Sequence, residues 1–249
     1  MSKYFCDLHI HSCLSPCADN DMTPANIAGM AMINGLGIVA VTDHNTCKNC
    51  PAFFAHAKKF GIVPVAGMEL TTSEDVHVVC LFRNLSDAME FDSYVESKRA
   101  KIKNKPDIFG HQYLMDEADD IIGEEEYLLI NAVDISIDEA YREVLSRGGV
   151  CYPAHIDRIS NGIISMLGDF PPEPNFTCFE LRDSEKYPEL CQKHPVLCDL
   201  VKTKASDAHS LTSISEADFS IEIDDEDYSS DKVRNSLIDI LLSKHKEKS

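Results

Sequence analysis

Apolar and polar positions alternate in short blocks along this chain, and most blocks carry their own start and stop signals. "YFCDLHIH", "GIVAVTDHN", "IVPVAGMELTT" and "DVHVVCLF" are apolar runs of strand length. Between the first two, "TPANIAGMAMINGLG" repeats apolar residues at helical spacing. Thr23 is placed there as N-cap, Pro24 at the first helical position and glycine near the end. "CPAFFAHAKKFG" reads as a second helix stopped by Gly61, and a long polar helix is expected from Asp87 to about Lys103. "SIDEAYREVLSRGG" is amphipathic, with Ser136 and Glu139 spaced as a capping box. "GVCYPAHID", "TCFELRD" and "LVKTKASDAHS" are further strand candidates, and "DFSIEID" is a last strand before the helix "SSDKVRNSLIDILLSK". Repeated strand–helix units in one α/β domain imply parallel pairing, and their number favours closure into a barrel. The least regular stretch, 104–129, reads as a long loop or insertion within a single domain covering 1–249.

Composition narrows the picture. Hydrophobic residues make up 44% of the 249, which supports a sizeable core. No apolar run approaches the roughly 18 residues of a membrane span. The opening "MSKYFCDLHIH" lacks a basic-then-apolar leader, so a cytosolic protein is expected. The formal net charge is −19, from 42 acidic and 23 basic side chains. A surface that negative repels phosphate backbones, so a long nucleic acid is disfavoured as a partner unless bound metals make the site locally positive. Ten cysteines in a reducing compartment are expected as thiols, with Cys6, Cys80, Cys151 and Cys178 in apolar runs as core residues.

The polar residues that interrupt the apolar strands gather at strand ends. His9 and His11 end the first strand, Asp43 and His44 the second, and Glu69 the third. His77 lies in the next, His155 ends "GVCYPAH", and Asp207 and His209 end "KASDAH". In parallel α/β folds the C-terminal strand ends are where ligands bind. Residues i and i+2 of a strand share a face, so His9 and His11 present parallel imidazoles. Imidazole with carboxylate suits zinc, manganese or iron. The donors exceed one coordination shell, so two or three divalent ions bridged by a carboxylate are expected. Such a cluster makes a bound water acidic and clamps the oxygens of a phosphoester displacement.

The pieces "DLHIHS", "VTDHN", "GMELTT" followed by "HVVCLF", "YPAH" and "SDAHS" occur in the order found in the polymerase and histidinol phosphatase (PHP) superfamily, which this chain resembles over most of its length. The resemblance implies a distorted (β/α)7 barrel with a metal cluster at its C-terminal mouth. It implies His9, His11, Glu69 and Asp207 as ligands of a first metal. Glu69 would bridge to a second held by His77 and His155, and His44 and His209 would hold a third. Asp43 would orient its neighbours. Where the family usually supplies a further Asp or His ligand, this chain has Pro16 and Cys17; Asp19 is the expected substitute, with Cys17 or loss of the third metal as alternatives.

The implied function is hydrolysis of a small phosphorylated metabolite or nucleotide by attack of a metal-bridging hydroxide. Histidinol phosphate hydrolysis is a rival within that class; amide hydrolysis and a non-catalytic regulatory metal domain are alternatives outside it. Arg158, then Arg182, are the expected phosphate-binding residues, since a planar guanidinium suits bidentate contact. The leaving group would take its proton from a metal-bound water or from His209. Cys13, Cys17, Cys47 and Cys50 follow the first two metal-bearing strand ends and suggest an extra thiolate-bound metal or iron–sulfur cluster. His56 and His111 read as surface histidines or as partners behind a ligand, His194 as a turn cap before Pro195, and His245 as part of a solvated tail.

Overall fold

The structure, a computed structural model, describes residues 1–243, so His245 lies outside the described residues. The first half alternates as β1 (Ser2–Ile10), α1 (Pro24–Ile33), β2 (Ile38–Val41), α2 (Cys50–Lys59), β3 (Val63–Thr71), β4 (His77–Phe82) and α3 (Leu85–Lys98). The Thr23 hydroxyl accepts from the Asn26 N–H at the head of α1, satisfying a donor the helix cannot. The polar helix α3 stops at Lys98 rather than Lys103, where Arg99 turns to extended backbone. Then come α4 (Pro106–Phe109), the hairpin β5 (Tyr113–Met115) and β6 (Ile121–Glu124), α5 (Ile137–Ser146) and β7 (Val150–Pro153). The chain ends with α6 (Ile163–Leu167), β8 (Cys178–Glu180), α7 (Tyr187–Lys193), β9 (Val201–Thr203), β10 (Ser220–Ile223) and α8 (Ser230–Leu242). Ser136 caps α5 by accepting from the Glu139 N–H.

The main sheet has the order β10-β1-β2-β3-β4-β7. β1, β2 and β3 are parallel, whereas β4 runs antiparallel to both β3 and β7. The wholly parallel pairing expected from the sequence therefore fails at β4, and again at β10, which runs antiparallel to β1. At β4 the cause is local: only 72–76 separates β3 from β4, enough for a tight turn but not for a crossover. The parallel β8–β9 pair curls the sheet back on itself. It is tied to the segment after β7 by Ile156 N–H to Glu180 O (3.0 Å), and the segment after β9 is tied to β1 by Asp207 N–H to His9 O (2.9 Å) and His11 N–H to Ala208 O (3.0 Å). The outcome is a mixed α/β domain with a curled half-barrel sheet.

One face of the sheet (Leu8, Ala40, Val65, Val79, Leu81, Tyr152) packs with Val233, Leu237, Ile238 and Leu241 of α8. Met68, Leu70, Val78 and Phe82 pack against Phe91 and Val95 of α3 and Ala140 and Val144 of α5. Ile10, Val39 and Val41 meet Ile27 and Ala31 of α1 and Phe53 of α2. Each fully buried aliphatic of this kind contributes about 1.5–3 kcal/mol. Cys6, Cys80, Cys151 and Cys178 lie within these clusters. The segment 104–129 is fastened to the strand-end loops: Asn49 accepts from Met115 N–H (3.0 Å) and donates to Tyr113 O (3.1 Å), and Tyr113 N–H donates to Cys13 O (2.9 Å). Among the described residues no helix is long and apolar enough to cross a membrane.

Candidate metal centre

The curl of the sheet brings the ends of its strands together. His9 lies at the end of β1 and His11 just past it; His44 follows β2 and Glu69 lies near the end of β3. His77 opens β4 instead of closing a strand, and reaches the same end because β4 is antiparallel, with Thr71 paired to His77. His155 and Asp207 follow β7 and β9, each with positive φ (28° and 51°). Such a conformation costs a non-glycine residue about 1–3 kcal/mol and persists where its surroundings hold it.

Glu69 is the hub. Its Oε1 lies 2.7 Å from His77 Nδ1, 3.0 Å from His155 Nε2 and 3.4 Å from His9 Nε2. Its Oε2 lies 3.1 Å from His44 Nδ1 and 3.3 Å from His11 Nε2. Asp207 Oδ1 stands 3.5 Å from His9 Nε2 and 3.3 Å from His11 Nε2. Three overlapping sets of donor atoms converge: His9, His11, Glu69 and Asp207; His44, Glu69 and His77; and His11, His44 and His209.

Buried partners fix which nitrogen each ring presents. His9 Nδ1 faces Glu180 Oε2 (3.0 Å), an acceptor, so Nδ1 carries the hydrogen and Nε2 the lone pair. The Ser15 hydroxyl donates to Asp43 Oδ1 (2.7 Å), so it accepts from His11 Nδ1 (2.9 Å). His209 Nδ1 donates to Asp207 O (2.8 Å). His9 Nε2 and His11 Nε2 face each other 3.2 Å apart, a contact that a proton satisfies in the metal-free protein and a metal ion would satisfy in its place. His44 Nδ1 and His155 Nδ1 are buried without a hydrogen-bond partner. Imidazole nitrogens that can shed a proton beside shared carboxylates fit divalent metal ions, and His9, His11, Glu69, Asp207, His44, His77, His155 and His209 are the residues that would hold them.

A family model for the PHP domain matches residues 7–162, more than half of the chain. The chain belongs to the PHP domain family. This PHP domain is 35% identical over 86 residues to an uncharacterized protein of Methanocaldococcus jannaschii, a match covering 31% of this chain and 50% of that protein. Among solved structures it resembles a lesion-specific endonuclease of Pyrococcus furiosus (20% identity, TM-score 0.56), covering 84% of this chain and 49% of that one. It also resembles a Bifidobacterium adolescentis protein assigned as a metal-dependent phosphoesterase (20%, TM-score 0.55; 82% and 87%). An amidohydrolase of Chromobacterium violaceum is similar as well (16%, TM-score 0.57; 88% and 92%). These structural likenesses show the fold. The chain spans about half the length of the first two relatives.

Proton affinities in this PHP domain show what the donors do without metal. Burial opposes charge on both His9 and His11; Glu180, Glu69 and Asp207 outweigh it at His9, held well above the usual range, and Asp207 and Glu69 do so at His11, lifted to about 9. Burial and the His11 charge oppose His44, yet Glu69 and Cys17 lift it to about 9. Burial would raise the carboxyls of Glu69 and Asp207; the imidazoles His77 and His9 respectively lead in holding them well below the carboxylate range. Burial lowers His77, and burial together with the His11 charge lowers His209 to about 4. Protons thus occupy His9, His11 and His44 at neutral pH and must leave when a metal binds. Apparent zinc affinity should therefore keep rising with pH up to about 9, instead of levelling off above the ordinary histidine value of about 6.5. Calorimetric titrations near pH 7 in buffers of different ionisation heat should report proton release; identical heats in both buffers would contradict it.

Not every residue singled out from sequence enters the centre. Asp19 is exposed, its side chain belongs to none of the three donor sets, and its N–H donates to His209 O (2.8 Å). The expected four-thiol site is a correction: among the described residues no such set converges. Cys47 and Cys50 turn into the core, both towards Gly67 O (3.2 and 3.6 Å). Cys13 packs with Ala52 and Met115, and Cys17 alone reaches the cavity over the centre. Arg158 donates to Asp207 Oδ2 (2.9 Å), and Arg182 lies 3.7 Å from the same oxygen. His56 is buried in α2, apart from the donor sets. Sequence reasoning missed Glu180 and Asp7. Asp7 accepts from Ser206 N–H (3.0 Å) and Ser215 N–H (3.1 Å), which pins the loop bearing Asp207 and His209 to β1.

Proposed function

We propose that this PHP domain hydrolyses a phosphoester of a small phosphorylated metabolite or nucleotide. The observation that carries the reading is Glu69, one buried carboxylate whose oxygens face the nitrogens of five imidazoles, with Arg158 at the rim beside it. Divalent ions bound there would supply Lewis acidity and make a water acidic enough to attack phosphorus near neutral pH.

The chain's own residues divide the remaining work. A cavity of about 310 Å³ opens over the centre, lined by His44, His77, Ile130, Arg158, Asn161 and His209 among others. Arg158 is 37% exposed and Arg182 46%, so each can leave Asp207 to grip an arriving phosphate. His209 is neutral at pH 7, with its Nδ1 hydrogen committed to Asp207 O. A neutral ring whose one hydrogen is so committed suits a ligand better than the acid that protonates the leaving group. The net charge of −19 and the small cavity favour a compact substrate over a long polyanion.

The test uses metal-reconstituted protein with p-nitrophenyl phosphate and bis-p-nitrophenyl phosphate. At least one of the two should turn over, and Arg158→Ala should raise its KM about tenfold, as expected for loss of one charge-assisted contact. Faster cleavage of the diester would move the assignment to a nuclease-like activity. Turnover of neither would contradict the proposal.

A further inference from the structure

We infer that Cys17 is a thiolate ligand of the metal held by His11, His44 and His209, a role that rests on the metal centre proposed above. Those three imidazoles have ligand atoms within 4.8 Å of one another, and theirs is the one donor set, among the described residues, without a carboxylate. Three neutral donors leave a divalent ion short of both charge and a fourth ligand.

The nearby carboxylates are already engaged. Asp43 accepts from Ser12 N–H, the Ser12 hydroxyl and the Ser15 hydroxyl (2.7, 2.6 and 2.7 Å). Asp207 serves the first set and Arg158; Asp19 and Cys17 both stand outside the three donor sets as placed, but of the two only Cys17 lines the cavity over the centre. It shares that cavity with His44 and His209. His44 is itself only 6% exposed, and its buried Nδ1 has no hydrogen-bond partner. The loop that carries Cys17 is held at both sides, by Ser15 N–H to Ser12 O (3.0 Å) and Asp19 N–H to His209 O (2.8 Å). Gly110, at φ +99°, presses so closely on Pro16 that a Cβ there would lie 1.9 Å from the Pro16 carbonyl oxygen. The segment 104–129 thus braces the loop over the cavity.

Cys17 is exposed, and ligation would take a turn about χ1 towards the three imidazoles. The S–H bond breaks, its proton goes to solvent and a sulfur–metal bond forms. A thiolate among imidazoles selects zinc, iron(II) or cobalt(II) over manganese and magnesium at this position.

Cobalt(II) titration of metal-free protein tests this without reference to activity. Wild type should develop a near-ultraviolet sulfur-to-cobalt charge-transfer band, and Cys17→Ser should lose the band while still binding cobalt at the remaining sites. Zinc should protect Cys17 from iodoacetamide, mapped by mass spectrometry, but leave Cys198 reactive, since that thiol is exposed outside the cavity. Cobalt bound with no charge-transfer band, a band that survives in Cys17→Ser, or equal alkylation of Cys17 with and without zinc would overturn the inference and leave the histidine–carboxylate centre standing. No cobalt binding at all would overturn both.

Discussion

Glu69→Gln should reduce phosphoester hydrolysis by about 10²–10³-fold, the loss that follows removal of one preorganised electrostatic contact at a reacting centre. The change is nearly isosteric, so the fold should survive and circular dichroism should match wild type. The chemistry should not survive. Glu69 places Oε1 against His77, His155 and His9 and Oε2 against His44 and His11. A glutamine keeps one acceptor oxygen and turns an N–H₂ group towards rings whose lone pairs must face a cation. It also removes the negative charge shared by two of the three donor sets. Metal content should fall together with turnover. Wild-type turnover in Glu69→Gln would mean that reaction occurs elsewhere.

Glu180→Gln should lower zinc affinity and turnover by about 10–100-fold, the usual consequence of losing the partner that orients a metal-bound histidine. Glu180 is fully buried, with Oε2 accepting from His9 Nδ1 (3.0 Å) and Oε1 from His155 N–H (3.1 Å). Two donors require two acceptors, and a carboxylate supplies both. The amide of glutamine must set its N–H₂ against one of them. Against His9, it drives the ring to the other tautomer, with the hydrogen on Nε2 where a metal would bind; against His155, it disturbs a backbone already held at φ 28°. Titration of metal-free variant and wild type with zinc, read alongside turnover, checks this. Equal affinities would show that Glu180 merely fills space.

Much of this centre could be read before any coordinates, because a polar residue ending an apolar strand is conspicuous. His9, His11, His44, Glu69, His155 and Asp207 all carry that signature. Glu180 carries it too, at the end of "TCFE", and passed unnoticed because glutamate there matched no motif. His77 was placed on a strand without its direction, since hydrophobic pattern does not report whether a strand runs parallel or antiparallel. The 72–76 turn, too short for a crossover, was the available clue. The thiols were misread for a different reason. Spacing places Cys13, Cys17, Cys47 and Cys50 on neighbouring loops but does not say which way each points. Burial against Gly67 O and Met115 decides three of them, leaving Cys17 over the cavity. Asp7 lies in the same "DLHIHS" stretch as the two ligand histidines, yet its partners, Ser206 and Ser215, are too distant in sequence to be foreseen.

The most direct test of the centre is its metal stoichiometry. Protein stripped with chelator, dialysed against zinc and analysed by elemental analysis should retain more than one ion per chain, because Glu69 faces donor sets on both of its oxygens. His9→Ala should retain fewer. Retention of less than one ion by wild type, after dialysis at a pH where the histidines are neutral, would contradict the account.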